Sequence, residues 1–411
     1  MSDNSVVITG IGVISSIGIG KDAFWKSLAQ GISGIGPVSI FDTSLFSSHL
    51  GGEVVGFEAD DYFDAKTLRG FDQTTRFLCA AAKLALADSG LKFDNDDQDS
   101  AGVVTATTFT AMENIALFNK EAVDDGPQYV NPAKFAGTTI NAPSSQVSIL
   151  FGIKGFNTTI STGFTAGLDA LKYATHFIRS GKASVVLVGG VERLAVQSYI
   201  GFQSVGMLAG LKGEEILCPF DRRRNGTVVG EGAAVVVIEN EEHARKRKAS
   251  ILAKVKSVAG AFDAYRQAKY HPAAAGLSRA IKKALDDAAV GKNAIDMVSS
   301  AANSMIDQDA LETLALKEVF GKRAYQIPVS AVKSAIGELF SASGVMQLAA
   351  AAGALLQGVI PQTLGLKEKD PFCDLDYVSG SARKSKLNNI LINNFGPGGN
   401  NVSAVISRYA E

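Results

Sequence analysis

The residues that could carry out chemistry in this chain are few and scattered. The four histidines stand far apart, at His49, His176, His243 and His271. The three cysteines are as widely separated, at Cys79, Cys218 and Cys373. Neither set has the spacing of metal ligands, and the cysteines lack the CxxC pattern of a zinc site. We therefore expect neither a bound metal nor a disulfide framework.

A glycine-rich segment follows the first β-branched run. Residues 10–15 read Gly-Ile-Gly-Val-Ile-Ser, and Ser15 stands where a dinucleotide-binding fingerprint requires its third glycine. The sequence contains no GxxxxGK[ST], GxSxG or HExxH motif. These patterns predict that the protein works without a cofactor.

The charge balance excludes a strong electrostatic attraction to nucleic acid or to anionic lipid. The 411 residues include 40 Lys and Arg against 41 Asp and Glu, which is a net charge of −1. Hydrophobic residues make up 46% and charged residues 20% of the chain, as in a large globular protein with a sizeable core. The first residues lack the basic segment and unbroken apolar run of a signal peptide. We expect a cytoplasmic protein with neither a membrane nor a nucleic acid as partner.

Apolar β-branched runs alternate with amphipathic stretches along the sequence. Strands are predicted at residues 6–10, 102–104, 183–188, 233–239, 251–258 and 295–299. Helices are predicted at residues 22–28, from 111 onward, 166–179 and 276–288. Residues 345–360 are nearly apolar but shorter than a bilayer span of about 20 residues, so we expect a buried helix ending at Gly358 and Pro361.

The organisation indicates an α/β protein of two related halves. Continuous apolar strands between helices are typical of a sheet that is covered on both faces. A charged segment at residues 241–248 separates the last strand of the first half from the first strand of the second. We predict an N-terminal half at residues 1–250 and a C-terminal half at residues 251–411.

Two nearby segments carry a more specific pattern. Residues 219–222 read Pro-Phe-Asp-Arg, and residues 225–234 read Asn-Gly-Thr-Val-Val-Gly-Glu-Gly-Ala-Ala. Together they resemble the signature of β-ketoacyl-acyl-carrier-protein synthases. Other landmarks of the family occur in the expected order at residues 7–12, 131–142, 333–337 and 393–401, so the resemblance spans residues 6–408. It implies a dimer with the thiolase fold, two related α/β halves in a five-layered αβαβα body.

The resemblance assigns three catalytic positions, and all three are replaced. Phe164 stands where the family has its nucleophilic Cys, and a phenyl ring has no lone pair to attack a thioester. Ala301 replaces the first of two histidines that stabilise the enolate, and a methyl group donates no hydrogen bond. Glu338 replaces the second, and an ionised carboxylate would repel that enolate. The chain is therefore expected to lack condensing activity.

A fourth replacement affects the oxyanion hole. In the family, a backbone N–H of the C-terminal glycine loop is one of its donors, and here Pro397 occupies that position. Proline has no N–H, and the loss of one such donor typically costs about 2.7 to 4 kcal/mol of transition-state stabilisation. Four independent changes point to a natural homologue that has stopped catalysing the condensation.

Other residues of the former site are retained. Lys333, Asp309 and Glu312 match charged positions that support the active-site loops of the family, and we expect buried ion pairing and hydrogen bonding from them. The hydroxyl residues around Phe164 are Ser161, Thr162 and Thr165, which we interpret as helix-capping and turn residues. The Phe164 ring is expected to fill what would be an acyl pocket.

Within this family the chain resembles the chain-length factors of type II polyketide synthases. The resemblance implies a heterodimer with a catalytic ketosynthase, whose acyl tunnel the chain-length factor shapes, and contact with an acyl carrier protein through the complex. The well-known members have Gln where this chain has Phe164. Partners that lack this Gln accompany ketosynthases of aryl polyene pathways, which is the direction we favour.

The resemblance also places candidate tunnel residues after the strand at 102–104. These candidates are Thr108, Phe109, Met112 and Ala116. The alternative is that Met112 and Ile115 are ordinary core residues. Lys66, Arg69 and Arg76 are candidate contacts for an acidic carrier protein, or simply a solvated helix face.

Two other functions remain open. One is a thiolase-fold enzyme that acts on acyl thioesters with altered chemistry, using Lys333, Glu338 or a hydroxyl group. The other is a homodimeric protein that binds acyl groups or has a regulatory role. A homodimer face and a heterodimer face cannot be distinguished from the sequence.

Overall fold

The structure is a computed structural model, and it describes residues 5–93, 97–266 and 269–410. The strands within these residues are β1 (Val6–Ser15), β2 (Gly18–Ile19), β3 (Gly36–Pro37), β4 (Leu50–Gly51), β5 (Ala101–Ala106), β6 (Phe156–Ile160), β7 (Val185–Glu192), β8 (Gly232–Asn240), β9 (Ala253–Phe262), β10 (Met297–Ser299), β11 (Val329–Ser330), β12 (Val359–Ile360), β13 (Arg383–Lys384), β14 (Asn389–Phe395) and β15 (Asn400–Ser407). The α-helices are α1 (Lys21–Gln30), α2 (Ala65–Leu68), α3 (Gln73–Ser89), α4 (Asp97–Ser100), α5 (Met112–Asp124), α6 (Ala142–Phe151), α7 (Ala166–Arg179), α8 (Val196–Ser204), α9 (Glu241–Lys246), α10 (Ala275–Ala288), α11 (Ile306–Phe320), α12 (Lys333–Ile336) and α13 (Ser343–Gln357).

The main sheet contains the same five-stranded arrangement twice. Its order is β6-β5-β7-β8-β1 in the first half and β9-β15-β14-β10-β11 in the second, with β1 and β9 paired where they meet. Counted in chain order within each half, the first strand (β1 or β9) lies antiparallel to the fifth (β8 or β15). The fifth lies antiparallel to the fourth (β7 or β14). The fourth is parallel to the second, which is parallel to the third. The two halves are therefore related.

Helices cover the sheet in alternating layers. The helices α7 and α13 contact each other between the two halves of the sheet, where their apolar side chains share one core with the inner faces of β8 and β14. The helix α3 covers the outer face of the first half, and α10 and α11 cover that of the second. The result is a five-layered αβαβα body in which β1, β7 and β8 are buried on both faces.

The first strand is longer than its sequence indicates. We predicted that it ends at Gly10, but β1 continues to Ser15 along β8. A Cβ on Gly10 would collide with the Ala85 carbonyl of α3, and one on Gly12 with that of Ala81. The glycines permit close helix packing here, so this segment is no phosphate-binding loop.

The apolar run near the C-terminus is a core helix, as predicted. Thirteen of the fifteen residues of α13, all of them described, are buried. The window 340–357 is long and apolar enough to cross a membrane, but 89% of it is buried inside the protein. The helix ends at Gly358, whose positive φ of 64° is the left-handed conformation that glycine adopts without strain.

Candidate functional site

Phe164 lies at the turn between β6 and α7. Gly163 has a positive φ of 71°, and residues 163–165 form a single 3₁₀ turn before the helix begins. The Phe164 side chain packs on the backbone of Gly396, because a Cβ built on Gly396 would come within 2.8 Å of Phe164 Cβ and Cγ. The ring therefore lies against the loop that contains Pro397.

Three phenylalanines lie next to this position, and together with Phe164 they form what we call the aromatic cluster: Phe109, Phe164, Phe202 and Phe340. The Phe340 ring contacts Phe164 edge-on at 5.3 Å between centroids and Phe109 edge-on at 5.2 Å. The same ring stacks on Phe202 at 4.2 Å and an interplanar angle of 10°. The ring of Phe109 also meets Phe202 edge-on at 5.3 Å. These geometries are favourable for aromatic pairs, so the rings fill the space next to Phe164 with apolar volume.

The carboxylate of Glu338 is buried and fully hydrogen-bonded. Its Oε2 accepts from Lys333 Nζ at 2.8 Å and from Asn303 Nδ2 at 2.7 Å. Its Oε1 accepts from the Phe340 backbone N–H at 2.8 Å and from Ser343 Oγ at 2.7 Å. Phe340 has a positive φ of 44°, an uncommon conformation for a non-glycine residue, and this N–H bond helps to hold it. The four donors use the acceptor sites of the carboxylate, which joins the Lys333 loop to the aromatic cluster.

Ala301 follows β10 and is buried in the core of the second half. Its backbone N–H donates to Glu312 Oε1 at 3.2 Å, and the Asn393 side chain donates to the same oxygen at 3.0 Å. Ser300 Oγ donates to the other carboxylate oxygen. Burial raises the pKa of Glu312, and these donors oppose that rise. Glu312 therefore stabilises the loop around Ala301.

Asp309 performs a similar role one turn earlier on α11. Its carboxylate accepts from the backbone N–H of Phe220 at 2.8 Å and of Asn303 at 3.1 Å. Arg224 Nε lies 3.8 Å from Asp309 Oδ2. Burial nevertheless raises the pKa of Asp309 to about 7. Lys333, Asp309 and Glu312 are all buried; Lys333 and Asp309 lie in ion pairs, and Glu312 accepts hydrogen bonds.

Pro397 lies in the turn that connects β14 to β15. The Gly399 N–H donates to the Gly396 carbonyl at 3.2 Å, and Gly399 has a positive φ of 87°. Pro397 has no N–H to direct toward Phe164. Phe164 packs on Gly396, next to Pro397, and on Phe340. Glu338 accepts from the Phe340 N–H and from Asn303, which is two residues beyond Ala301. These contacts bring the four assigned positions into one site.

The hydroxyl residues near Phe164 differ from our prediction. Thr162 Oγ1 and Thr165 Oγ1 both donate to Asp169 Oδ2, at 2.6 and 2.8 Å. None of the described side chains caps the backbone at the start of α7. The prediction of helix capping was wrong: the hydroxyls of Thr162 and Thr165 donate to Asp169 in the first turn of α7, and no described side chain caps the helix start.

The tunnel candidates divide into two pairs. Thr108 Oγ1 is hydrogen-bonded to Ser341 Oγ, and Phe109 belongs to the aromatic cluster, so both touch the site. Met112 and Ala116 lie half-buried on α5. Ile115 is 42% exposed, so its alternative interpretation as an ordinary core residue was wrong. The same interpretation fails for Met112, since none of the thirteen described residues of α5 is buried.

The basic residues proposed as carrier contacts lie near a surface cavity of about 510 Å³. Arg69 and Arg76 line it, together with Glu58 and Asp60. Lys66 is exposed nearby on α2. The mixture of charges favours neither the carrier contact nor the solvated face.

Sequence profiles identify both halves. The profile described as "Beta-ketoacyl synthase, N-terminal domain" matches residues 3–244, and that described as "Beta-ketoacyl synthase, C-terminal domain" matches residues 252–367. The chain belongs to the β-ketoacyl synthase family. This ketosynthase homologue is 34% identical to the 3-oxoacyl-[acyl-carrier-protein] synthase 2 of Coxiella burnetii over 99% of both chains. It is 31% identical to the enzyme of the same name from Staphylococcus aureus over the full length of both.

Solved structures confirm the thiolase fold of the ketosynthases. The ishigamide ketosynthase/chain length factor superposes with a TM-score of 0.93 and 30% identity, covering 99% of this chain and 100% of the other. A type II polyketide ketosynthase in complex with its acyl carrier protein superposes with a TM-score of 0.91 and 26% identity, covering 99% and 100%. The chain is thus similar both to condensing enzymes and to an assembly that contains a chain-length factor.

The sequence analysis missed several residues that shape the site. Phe202 and Phe340 complete the aromatic cluster, and Asn303 and Ser343 complete the donors around Glu338. Asn303 is two residues beyond Ala301 and Phe340 two beyond Glu338, so the flanks of the assigned positions were the available signal.

Proposed function

We propose that this ketosynthase homologue is a non-catalytic chain-length factor. It pairs with an active ketosynthase and shapes that enzyme's acyl tunnel in type II polyketide biosynthesis, with aryl polyene synthesis as the pathway class that we favour. One observation carries the proposal: Phe164 occupies the position assigned to the nucleophile, and its ring packs into the aromatic cluster. A phenyl ring there offers no nucleophile and leaves little room for an acyl group.

The surroundings of Glu338 argue against an enzyme with altered chemistry. A general base must present a free lone pair to the proton that it removes. Both oxygens of Glu338 already accept two hydrogen bonds each, and one of these comes from the ammonium group of Lys333. The same ion pair occupies Lys333, so neither residue is available as base or nucleophile. This arrangement supports a structural role for both.

The outer surface of the first half supports the partnership. We call α5, the turn at residues 132–138 and the strand β6 the partner face. Large apolar side chains are exposed on it and on the adjacent helix α6: Ile115, Leu117, Val123, Phe135 and Ile149. Extensive exposed apolar surface is typical of a protein–protein interface. We propose that the catalytic ketosynthase covers this face and that an acyl carrier protein serves the complex, which acts in the cytoplasm.

Native mass spectrometry of the tagged chain, purified from its own host, tests the proposal. We expect a one-to-one complex with a chain of similar size that retains the Cys and both His of the active family. A homodimer that persists when candidate ketosynthases are added would contradict the heterodimer and favour an acyl-binding or regulatory homodimer. Turnover of acyl thioesters that Glu338→Gln abolishes would instead favour the enzyme.

A further inference from the structure

The helix α5 has no fully buried side chain among its described residues to hold its position in the isolated chain. None of its thirteen described residues is buried, and none of the described side chains caps its N-terminus at Ala111. Its contacts run mainly to the turn at residues 132–138 and to α8. A helix without a buried face gains little from hydrophobic packing, so its placement depends on specific polar attachments.

The first attachment is made by Glu192, the last residue of β7. β7 lies parallel to β5, so the two strands end side by side and Glu192 faces the segment that leads from β5 into α5. Its carboxylate is 1% exposed and accepts from two consecutive backbone N–H groups, Thr108 at 2.6 Å and Phe109 at 3.1 Å. Burial raises the pKa of this carboxyl to about 7. Glu192 therefore clamps the backbone immediately before α5.

The second attachment is made by the neighbouring residue. Arg193 Nη1 forms an ion pair with Glu113 Oε2 in the first turn of α5. The two side chains are 27% and 34% exposed, so solvent screens the pair only partly. Glu192 fixes the backbone before the helix and Arg193 holds its first turn, so these two residues attach the N-terminal end of α5. Farther along the helix, Asn114 donates to Asp72 Oδ2 and to the Gly137 carbonyl, and Glu121 pairs with Lys134.

We propose that Glu192 and Arg193 are positioning residues that set the product length of the ketosynthase complex by holding α5 against the aromatic cluster. This inference rests on the proposed function, in which α5 borders the partner's tunnel. Met112 and Ala116 contribute the wall of that tunnel, and the clamp of Glu192 and Arg193 determines where the wall stands. When the clamp is loosened, α5 shifts and the tunnel accepts a wider range of chain lengths.

Hydrogen–deuterium exchange on the full-length isolated chain tests the clamp independently of any partner. In Glu192→Ala we expect exchange of the amides at residues 107–118 to accelerate at least tenfold, because two backbone hydrogen bonds lose their acceptor. Asp221→Ala is the matched control, since this buried carboxylate also accepts from two consecutive N–H groups, Lys367 at 2.6 Å and Glu368 at 2.7 Å. Asp221→Ala should leave the exchange of residues 107–118 unchanged.

If Glu192→Ala does not fold, Glu192→Gln retains one acceptor and should show a smaller acceleration of exchange. Unchanged exchange in the folded Glu192 variant would overturn the clamp.

Product analysis by mass spectrometry tests the consequence in the complex with the co-purifying ketosynthase. We expect Glu192→Ala and Arg193→Glu to broaden the distribution of chain lengths, Asp221→Ala to leave it unchanged, and Glu113→Arg with Arg193→Glu to restore it. An unchanged distribution despite accelerated exchange would overturn the link to product length. Failure of the wild-type chain to form a complex would contradict the proposed function, while the exchange data would still decide whether the clamp exists.

Discussion

Two helices at equivalent positions in the duplicated fold differ sharply in how they are covered. In each half a helix follows the second strand of the five, α5 after β5 and α11 after β10. Eight of the fifteen residues of α11, all described, are buried, whereas none of the thirteen described residues of α5 is. The same topology thus buries one face of α11 and leaves α5 without a buried residue among those described. This difference supports the proposal that another chain covers α5.

The edge strands repeat this contrast. The outer edge of β11 is covered by the chain itself, because Val329 exchanges backbone hydrogen bonds with residues 376 and 378. In the part of the chain that the structure describes, β6 pairs only with β5. Its Phe156 stacks on Phe177 of α7 at 4.3 Å between centroids. Open edge strands attract other strands, so β6 is expected to be paired or covered in the assembly.

The largest expected effect concerns the buried ion pair of Lys333 and Glu338 in the second half. Lys333→Met removes the cation from a pair whose members are 1% and 0% exposed and leaves the Glu338 charge uncompensated. We expect the free energy of unfolding to fall by about 3 to 5 kcal/mol in urea titrations. Lys246→Met is the matched control, because its pair with Glu242 is exposed and should contribute less than about 1 kcal/mol. Equal losses in the two variants would contradict the buried ion pair as a support of the site.

The next effect tests the contrast between α5 and α11 directly. Ile115 on α5 and Leu314 on α11 are both 42% exposed, so they form a matched pair. Ile115→Asp should weaken the complex with the ketosynthase at least 100-fold, roughly 2.7 kcal/mol, because a charge enters an apolar interface. Leu314→Asp should leave the affinity unchanged. Analytical ultracentrifugation of the ketosynthase with each purified variant measures the two affinities. Equal affinities would contradict the assignment of the partner face.

The sequence predicted much of the fold and only part of the site. Local patterns located α1, α7, α10 and α13 because the spacing of apolar residues is set within each helix. The four positions that we assign to replaced catalytic residues were proposed from a resemblance. Phe202 and the donors of Glu338 could not be predicted, because they meet through contacts between distant segments. The exposure of α5 could not be predicted either, because a helix has the same amphipathic pattern whether its own chain or another chain covers it. The boundary at residue 250 stays a prediction.

A pH-dependent effect concerns Asp309, the buried acid on α11. Burial raises the pKa of Asp309 from an ordinary value of 3.8 to about 7. Between these pH values the unfolded chain releases a proton that the folded chain retains, so the stability that Asp309 provides is full below pH 3.8 and falls as the pH rises toward 7. Each unit of pKa shift corresponds to about 1.4 kcal/mol. Asp309→Asn should flatten this part of the stability profile in denaturation measured from pH 4 to 8. The exposed Asp60→Asn should not, and a wild-type profile that rises through this range would contradict the assignment.

The smallest expected effect comes from placing a cysteine at the position that we assign to the nucleophile. Phe164→Cys returns a thiol to the turn before α7, but Ala301 and Glu338 still supply no donor for the enolate and Pro397 no oxyanion N–H. General acid–base groups typically contribute about 10² to 10⁴ in rate and an oxyanion donor about 10² to 10³, so their combined absence should keep condensation at the wild-type background. Incorporation of radiolabelled malonyl carbon into product by the isolated variant measures the rate of condensation. Turnover above that background would show that the site needs only a nucleophile, and α5 would then border an active site of its own subunit rather than serve only a partner.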